Sequence, residues 1–376
     1  MFEDPADHWR PSMRNIIQLL PVTHVCRRWR DAALETPTLW TSIFLETWTH
    51  WKPEFVDMVI RRAGSMPLRV YLDNAIPPVR RAFGNFLQIH GRRIKELHWV
   101  CTDPHWISHL AHVRPDGLKA LSIYRGYSSE GSNHVFLCGF PALRRLVLKS
   151  TLCLPTTDLL HLTYLNLGDV TVEGWAGILS LLSKCPNLED LVLDTLSPSA
   201  EEKQGDPVIS SRLRRLLLMN MSQSHGTGIS SRLTVAESTV VRICEISLSP
   251  NMAAAIAPFP AWKNSTKLCI SSVDMYWDPD GDYSANITAV GPITGINIVD
   301  CGESEDVEGL PTPGSQHPKT IADWYPALRL LLPTAPIREL WLLDRYVAYQ
   351  PKLMREVLRL LPCLEILVLR DSSLHR

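Results

Sequence analysis

Two hydrophobic rhythms run along this chain. Near the N-terminus, Val22, Val25, Cys26, Trp29 and Ala33 recur at helical spacing, with Arg27, Arg28, Arg30 and Asp31 outside their stripe. This predicts one amphipathic helix docking through that stripe. It is expected to end near Glu35, because Thr36 precedes Pro37 and is pushed towards extended geometry. Leu39 and Trp40 then return to the apolar side. Met13 to Leu20 is a second short helical candidate, facing Trp29, and both Trp29 and Trp40 are expected to be largely buried. Pro53 opens a helix through Arg62, Gly64 closes it, and Leu68, Val70 and Leu72 alternate as a strand.

The second rhythm starts at Ile94. The pattern apolar, two spacers, apolar, one spacer, apolar recurs from Ile94, Leu97, Trp99 through Leu162, Leu165, Leu167 to Leu364, Leu367, Leu369. Two of its copies read Ile243, Ile246, Leu248 and Ile293, Ile296, Ile298, and the wide gap between them holds a degraded copy around Leu268 and Ile270. The unit is about 25 residues long. Helical stretches fill the return legs: Val79 to Ile89, Val172 to Leu182 and Lys352 to Leu361. One strand and one amphipathic helix cannot bury an apolar face alone, so neighbouring units must stack. L-x-x-L-x-L cores at this period are the signature of leucine-rich repeats. The predicted fold class is α/β, an irregular leucine-rich-repeat solenoid with one parallel sheet on its inner face and helices outside. The first and third triplet members are expected to face the helices. The repeat family's asparagine is absent, its places holding Thr102, Gly126, Thr151, Val170, Leu196 and Met221, so no asparagine ladder is expected.

Val25 to Trp40 carries a second resemblance. The order VCRRW, then AL, then PTLW is similar to the C-terminal half of an F-box of the fungal F-box-like type. An F-box is the helical module by which substrate receptors join cullin-RING ubiquitin ligases through a Skp-family adaptor. The resemblance implies that Val25, Cys26, Arg28, Trp29, Leu34, Pro37, Leu39 and Trp40 contact that adaptor. The family opens on a Leu-Pro-x-Glu-Ile-Leu helix that nothing before Val22 spells, and Met1 and Phe2 stand as its remnant. The first helix is therefore expected to be missing and adaptor binding to be weak. The organisation expected is a partial F-box-like module over 1–52 and the repeat array over 53–376.

Three polar inserts, Ser197 to Ser211, Ser222 to Ser231 and Asp300 to Thr320, are too poor in apolar residues to enter a core and read as surface loops. The 376 residues are 45% hydrophobic, enough for a substantial core. A net charge of -1 offers no global attraction to nucleic acid or anionic membrane. No apolar run approaches the ~20 residues that span a bilayer. Nine cysteines without a C-x-x-C pair argue against zinc modules and disulfide frameworks, so a reduced cytoplasmic or nuclear protein is expected.

Candidate chemistry is sparse. Asp278, Asp280 and Asp282 begin like a calcium loop, yet Tyr283 and Ala289 stand where an EF-hand needs glycine and glutamate. His105, His109 and His112 share a helical face, but the H-E-x-x-H glutamate is missing. No nucleophile elbow, phosphate loop or dinucleotide fingerprint occurs. Arg27, Arg28 and Arg30 are followed at once by Asp31 and Glu35 and read as a solvated helix face. No catalysis, cofactor, metal, nucleic acid or membrane is therefore expected.

What remains is a binding surface. Side chains beside the last two apolar positions of each strand point away from the helices. They include Tyr124, Arg145, Tyr164, Asn166, Asp190, Arg215, Met219 and Trp341, a concave face expected to hold a protein substrate. The chain reads as a substrate receptor of a ubiquitin ligase. The alternatives are a stand-alone repeat scaffold and a hydrolase whose nucleophile and base the sequence does not display.

Overall fold

A computed structural model describes residues 21, 23–45, 53–73, 85–101, 110, 112–113, 116–125, 139–151, 154–172, 175–198, 207–244, 248–274, 283–300, 321–343 and 351–369. It is a mixed α/β fold built on mostly parallel sheet, in two compact units, Met1–Leu162 and Thr163–Arg376.

In the first unit, residues 23–25 are helical, the chain extends at Cys26 (φ -158°, ψ 168°), and helix α1 restarts over Arg27–Leu34. The continuous helix expected from Val22 to Glu35 is thus broken, and the break re-phases its stripe. Ala33 is buried, whereas Val25, Cys26 and Trp29 are exposed, so the expected burial of Trp29 does not occur. The other end falls where Pro37 places it, with Glu35 as the C-cap. Pro37–Trp40 form one 3-10 turn that buries Trp40 completely. Its indole N–H donates to the Ala33 carbonyl at 2.7 Å. The Arg62 guanidinium, from helix α2 (Pro53–Ala63), lies 4.3 Å from its ring centroid. Gly64 ends α2 at φ 55°, the left-handed turn that glycine adopts without steric cost.

Strand β1 (Ser42–Leu45) carries this segment into a parallel sheet with β2 (Leu68–Asp73), β3 (Ile94–Cys101), β4 (Ala120–Arg125) and β5 (Arg145–Lys149), paired in sequence order. Two registered rows, Val70–Leu97–Leu121–Leu146 and Leu72–Trp99–Ile123–Leu148, are buried. The second and third triplet members therefore share the core face. The first members, such as Leu118 and Leu143, are buried as well, but they lie just ahead of their strands rather than within them.

The second unit contains β6 (Tyr164–Gly168), β7 (Thr171–Val172), α3 (Trp175–Ser183), β8 (Asp190–Asp194), β9 (Ser197–Pro198), β10 (Val208–Ser210) and β11 (Arg215–Met219). It continues with α4 (Gln223–Ser230), β12 (Leu233–Val235), β13 (Val240–Cys244), α5 (Pro250–Ile256), α6 (Pro260–Lys263), β14 (Lys267–Asp274), β15 (Tyr283–Val290) and β16 (Gly295–Asp300). Helix α7 (Ile321–Leu331), β17 (Glu339–Leu343), α8 (Pro351–Arg359) and β18 (Ile366–Leu369) close it. The main sheet runs β6-β8-β11-β13-β16-β15-β14-β17-β18. β7 pairs with β9 and β10 with β12 in two small parallel ladders.

This order departs from the expected uniform parallel sheet. After β13 the chain crosses α5 and α6, lays β14 beside β17, and returns through antiparallel β15 to β16, which pairs with β13. The turn between β15 and β16 needs Gly291, because a Cβ there would sit 2.5 Å from the Asn264 carbonyl oxygen. Ile293 lies in that turn and is exposed, so it is no core position. The triplet Ile243, Ile246, Leu248 is also displaced: Val241 and Ile243 hold the second and third places, registered with Leu216 and Leu218. Polar residues ahead of these strands hide the rhythm. Buried Thr239 donates its hydroxyl to the Leu213 carbonyl (2.6 Å), and buried Ser265 donates to that of Ala261 (2.7 Å).

Strands β5, β6, β8 and β11 end alike, in left-handed residues Ser150, Asp169, Thr195 and Asn220 (φ 48° to 53°). The N–H groups of Asp169, Thr195 and Asn220 donate to the carbonyls of Asp194, Met219 and Cys244, the last residues of the next strands. The residues that follow, Thr151, Val170, Leu196 and Met221, turn into the core. A β-branched residue is the costliest of these left-handed positions. Thr195→Asn is accordingly expected to raise stability by about 0.5 to 1 kcal/mol in urea unfolding.

The insert Ser222 to Ser231, expected as a surface loop, is instead largely helix α4, with Gly226, Ile229 and Ser230 buried. The Ser222 hydroxyl caps it by accepting from the His225 N–H, and Gly228 lets it lie close on Trp175, whose Nε1 would be 2.6 Å from an added Cβ. The insert Ser197 to Ser211 begins with β9 and ends near β10. Residues 301–320, Met13 to Leu20, Asp278, Asp280, Asp282, His105 and His109 lie outside the described residues. Among the described residues no helix is long and apolar enough to cross a membrane.

Candidate functional site

Two kinds of surface deserve a functional reading, and the first is built by the break at Cys26. It leaves Val25 (68%), Trp29 (55%), Leu34 (37%) and Leu39 (39%) exposed on a short segment. The segment is ordered from beneath by the Trp40 indole and laterally by Arg30, whose Nε donates to the Thr23 carbonyl at 2.9 Å. Cys26, Arg28 and Pro37 are exposed beside them. Of the residues expected to meet an adaptor, Trp40 alone is withdrawn from the surface and acts as the anchor of the tail. Val25 precedes the break, Trp29 and Leu34 are on α1 and Leu39 is in the turn, so exposed large apolar side chains are gathered within one short segment.

The second kind is the sheet face opposite the buried rows in each unit. In the first unit, Tyr71 stacks on His98 (centroids 4.5 Å, interplanar 8°). His98 Nδ1 and Ser122 Oγ are 2.9 Å apart. Tyr124 and Arg145 are half-buried at the rim, and Arg69 pairs with Glu96 at 3.2 Å. Burial, aided by the Arg145 and Arg69 charges, lowers His98 to about 4. A serine and histidine in hydrogen-bond contact is a pairing that hydrolases use, but here both side chains are buried.

It also carries a pH dependence. An unfolded imidazole takes its proton near 6.5, the folded one only near 4, so between these values the unfolded state binds more protons and stability rises with pH. The contribution is complete above about 6.5 and is lost as pH falls towards 4, by about 3 kcal/mol in all. Urea unfolding at pH 4.5 and 7 is expected to show this slope, and His98→Gln to flatten it.

In the second unit, Asp190 and Arg215 form a two-pronged pair across β8 and β11 (2.5 and 2.6 Å), with Tyr164 beside them. Arg69–Glu96 and Lys267–Glu339 (3.1 Å) occupy the same strand position between other neighbours. Such exposed pairs add at most about 1 kcal/mol each, but they fix which residues face one another. Met219 is half-buried and Asn166 fully buried, so Asn166 is not part of the accessible face. Trp341 is half-buried: its indole N–H donates to Glu339, and the Lys267 ammonium lies 4.1 Å from its ring centroid. Those two donors hold the Glu339 carboxyl below its usual range.

The hairpin adds residues that the triplet pattern did not single out. Asn297 Nδ2 donates to Asn286 Oδ1 (2.6 Å) and Thr288 Oγ1 (2.9 Å), and Cys269 stands between Thr288 and Trp341 in the register. The alternation within YSANITAV and GINIVD was the available signal. Among the described residues no three metal-ligating side chains come together, and His112 is exposed.

An F-box-like family model matches residues 12–46, the stretch that contains the exposed row and its Trp40 anchor. No curated protein and no solved structure matches the chain.

Proposed function

We propose that this chain, with its F-box-like segment at residues 12–46, is the substrate-recognition subunit of a cullin-RING ubiquitin ligase. In this reading the segment binds a Skp-family adaptor. The strands that follow form an irregular leucine-rich-repeat solenoid whose open face holds a protein substrate. The subunit performs no bond chemistry: it supplies proximity, placing a lysine of its target near a ubiquitin-loaded partner in the cytoplasm or nucleus. One observation carries the reading. Val25, Trp29, Leu34 and Leu39 are exposed inside the matched segment, as side chains that a partner would cover are.

The test is titration of the full chain with a purified Skp-family adaptor. Trp29→Ala is expected to weaken binding at least tenfold, since exposed aromatics dominate interface energetics, while shifting stability by less than about 1 kcal/mol. A wild-type chain that binds no adaptor would leave the stand-alone scaffold as the better reading.

A further inference from the structure

The hairpin β15–β16 interrupts the parallel array and, with β14 and β17, brings a set of uncharged polar groups together on the open face of the second unit. Asn297, Thr288, Cys269 and Trp341 stand in one register row across four adjacent strands, all half-buried. Asn286 lies diagonally beside Asn297 and is bonded to it. These bonds use the Asn297 amide nitrogen and the Asn286 amide oxygen, leaving Asn297 Oδ1 as an acceptor and Asn286 Nδ2 as a donor without a partner among the described residues. The charges at the borders are engaged: Lys267 with Glu339, and Arg242 through Nε to Cys244 Sγ at 3.1 Å.

Taking the substrate-receptor reading as given, we propose that this patch is where the target docks, and that it takes an uncharged extended peptide segment. A donor and an acceptor side by side match the C=O and N–H of a peptide group or a side-chain amide. Lys267 and Glu339 already neutralise each other at the Trp341 end, so a charged residue seated there would gain no counter-ion and lose hydration. Neighbouring strands are about 4.8 Å apart, so Asn297 and Trp341 are separated by about 14 Å. An extended peptide crossing the strands covers that distance in about four residues at ~3.3 Å each. The ligand is therefore a neutral stretch with an amide-bearing residue at one end and an apolar residue, seated against Trp341, four places away.

The experiment probes the full chain with ten-residue peptide arrays in neutral, acidic and basic sets. Each set carries one Asn and one Leu at separations of two to six residues, and a neutral oligosaccharide, maltotriose, is run in parallel. Neutral peptides with the four-residue separation are expected to bind best. Asn297→Leu and Trp341→Ala are each expected to weaken that peptide at least tenfold without changing the melting temperature by more than a few degrees, whereas Arg355→Ala, exposed on α8, leaves it unchanged. Thr288→Val, which keeps the side-chain shape, serves if Asn297→Leu does not fold. Preference for a charged set, binding of maltotriose alone, insensitivity to these variants, or no binding by any set overturns the assignment. Adaptor titration of the same samples separates the two claims. Peptide binding without adaptor binding removes the ligase reading and keeps the patch, and the reverse result removes the patch alone.

Discussion

Trp40→Ala is expected to cost about 3 to 5 kcal/mol and to melt the segment from α1 to β1. Three losses coincide at this side chain. Its fully buried indole leaves a cavity under α1, the bond to the Ala33 carbonyl disappears from a buried site, and Arg62 loses the ring on which it lies. The carbonyl of Ala33 lies in the last turn of α1, so the bond also closes that helix end. Tryptophan fluorescence and circular dichroism of the variant, set against Trp29→Ala, check this. The contrast separates two aromatic residues eleven positions apart in one motif: one holds the segment, the other is presented by it. A Trp29→Ala variant as unstable as Trp40→Ala would contradict the exposure of Trp29 on which the adaptor reading depends.

Leu191→Asp is the second large effect. Leu191 is in the centre of β8, buried, and registered between Leu165 and Leu216 in one apolar row. A carboxylate there has no partner within the row, so its burial is expected to cost about 4 kcal/mol or more. Each strand of this region draws its stability from its neighbours, so the loss spreads rather than staying local. Amide exchange is expected to accelerate in β6 and β11 as well as in β8. Protection that fell only at β8 would show that the strands fold independently.

Much of the fold was legible because it rests on apolar spacing. Leu121, Leu146, Leu165, Leu191, Leu216 and Leu340 are all buried strand residues, as their spacing predicted. Gly64 and Pro37 ended their helices where their backbone chemistry requires. The failures occur where polar residues do structural work. Thr239 and Ser265 are buried through hydroxyl-to-carbonyl bonds, so the apolar rhythm lapses around β13 and β14 and spacing alone points to the wrong register. Ser222 to Ser231 reads as a loop because its glycines, of which Gly228 permits close approach to Trp175, also remove the apolar signal. At the candidate site the residue types of the F-box-like segment were readable. The extended backbone at Cys26, which decides that Trp29 faces outward, has no signature in helical spacing.

The detour through β14 and β15 also orders events during synthesis. β13 can pair with β11 as soon as it emerges, but its other neighbour, β16, is encoded about 50 residues later, after both intervening strands. At ribosomal speeds of roughly 5–20 residues per second, that edge stays open for a few seconds. β14 finds β15 quickly as a local hairpin, then waits for β17 across residues 301–320 and α7. The C-terminal half therefore closes as one late, non-local step, whereas β1 to β5 can add one after another as the chain grows. The nascent chain is most open to wrong strand partners between the completion of β13 and the arrival of β16.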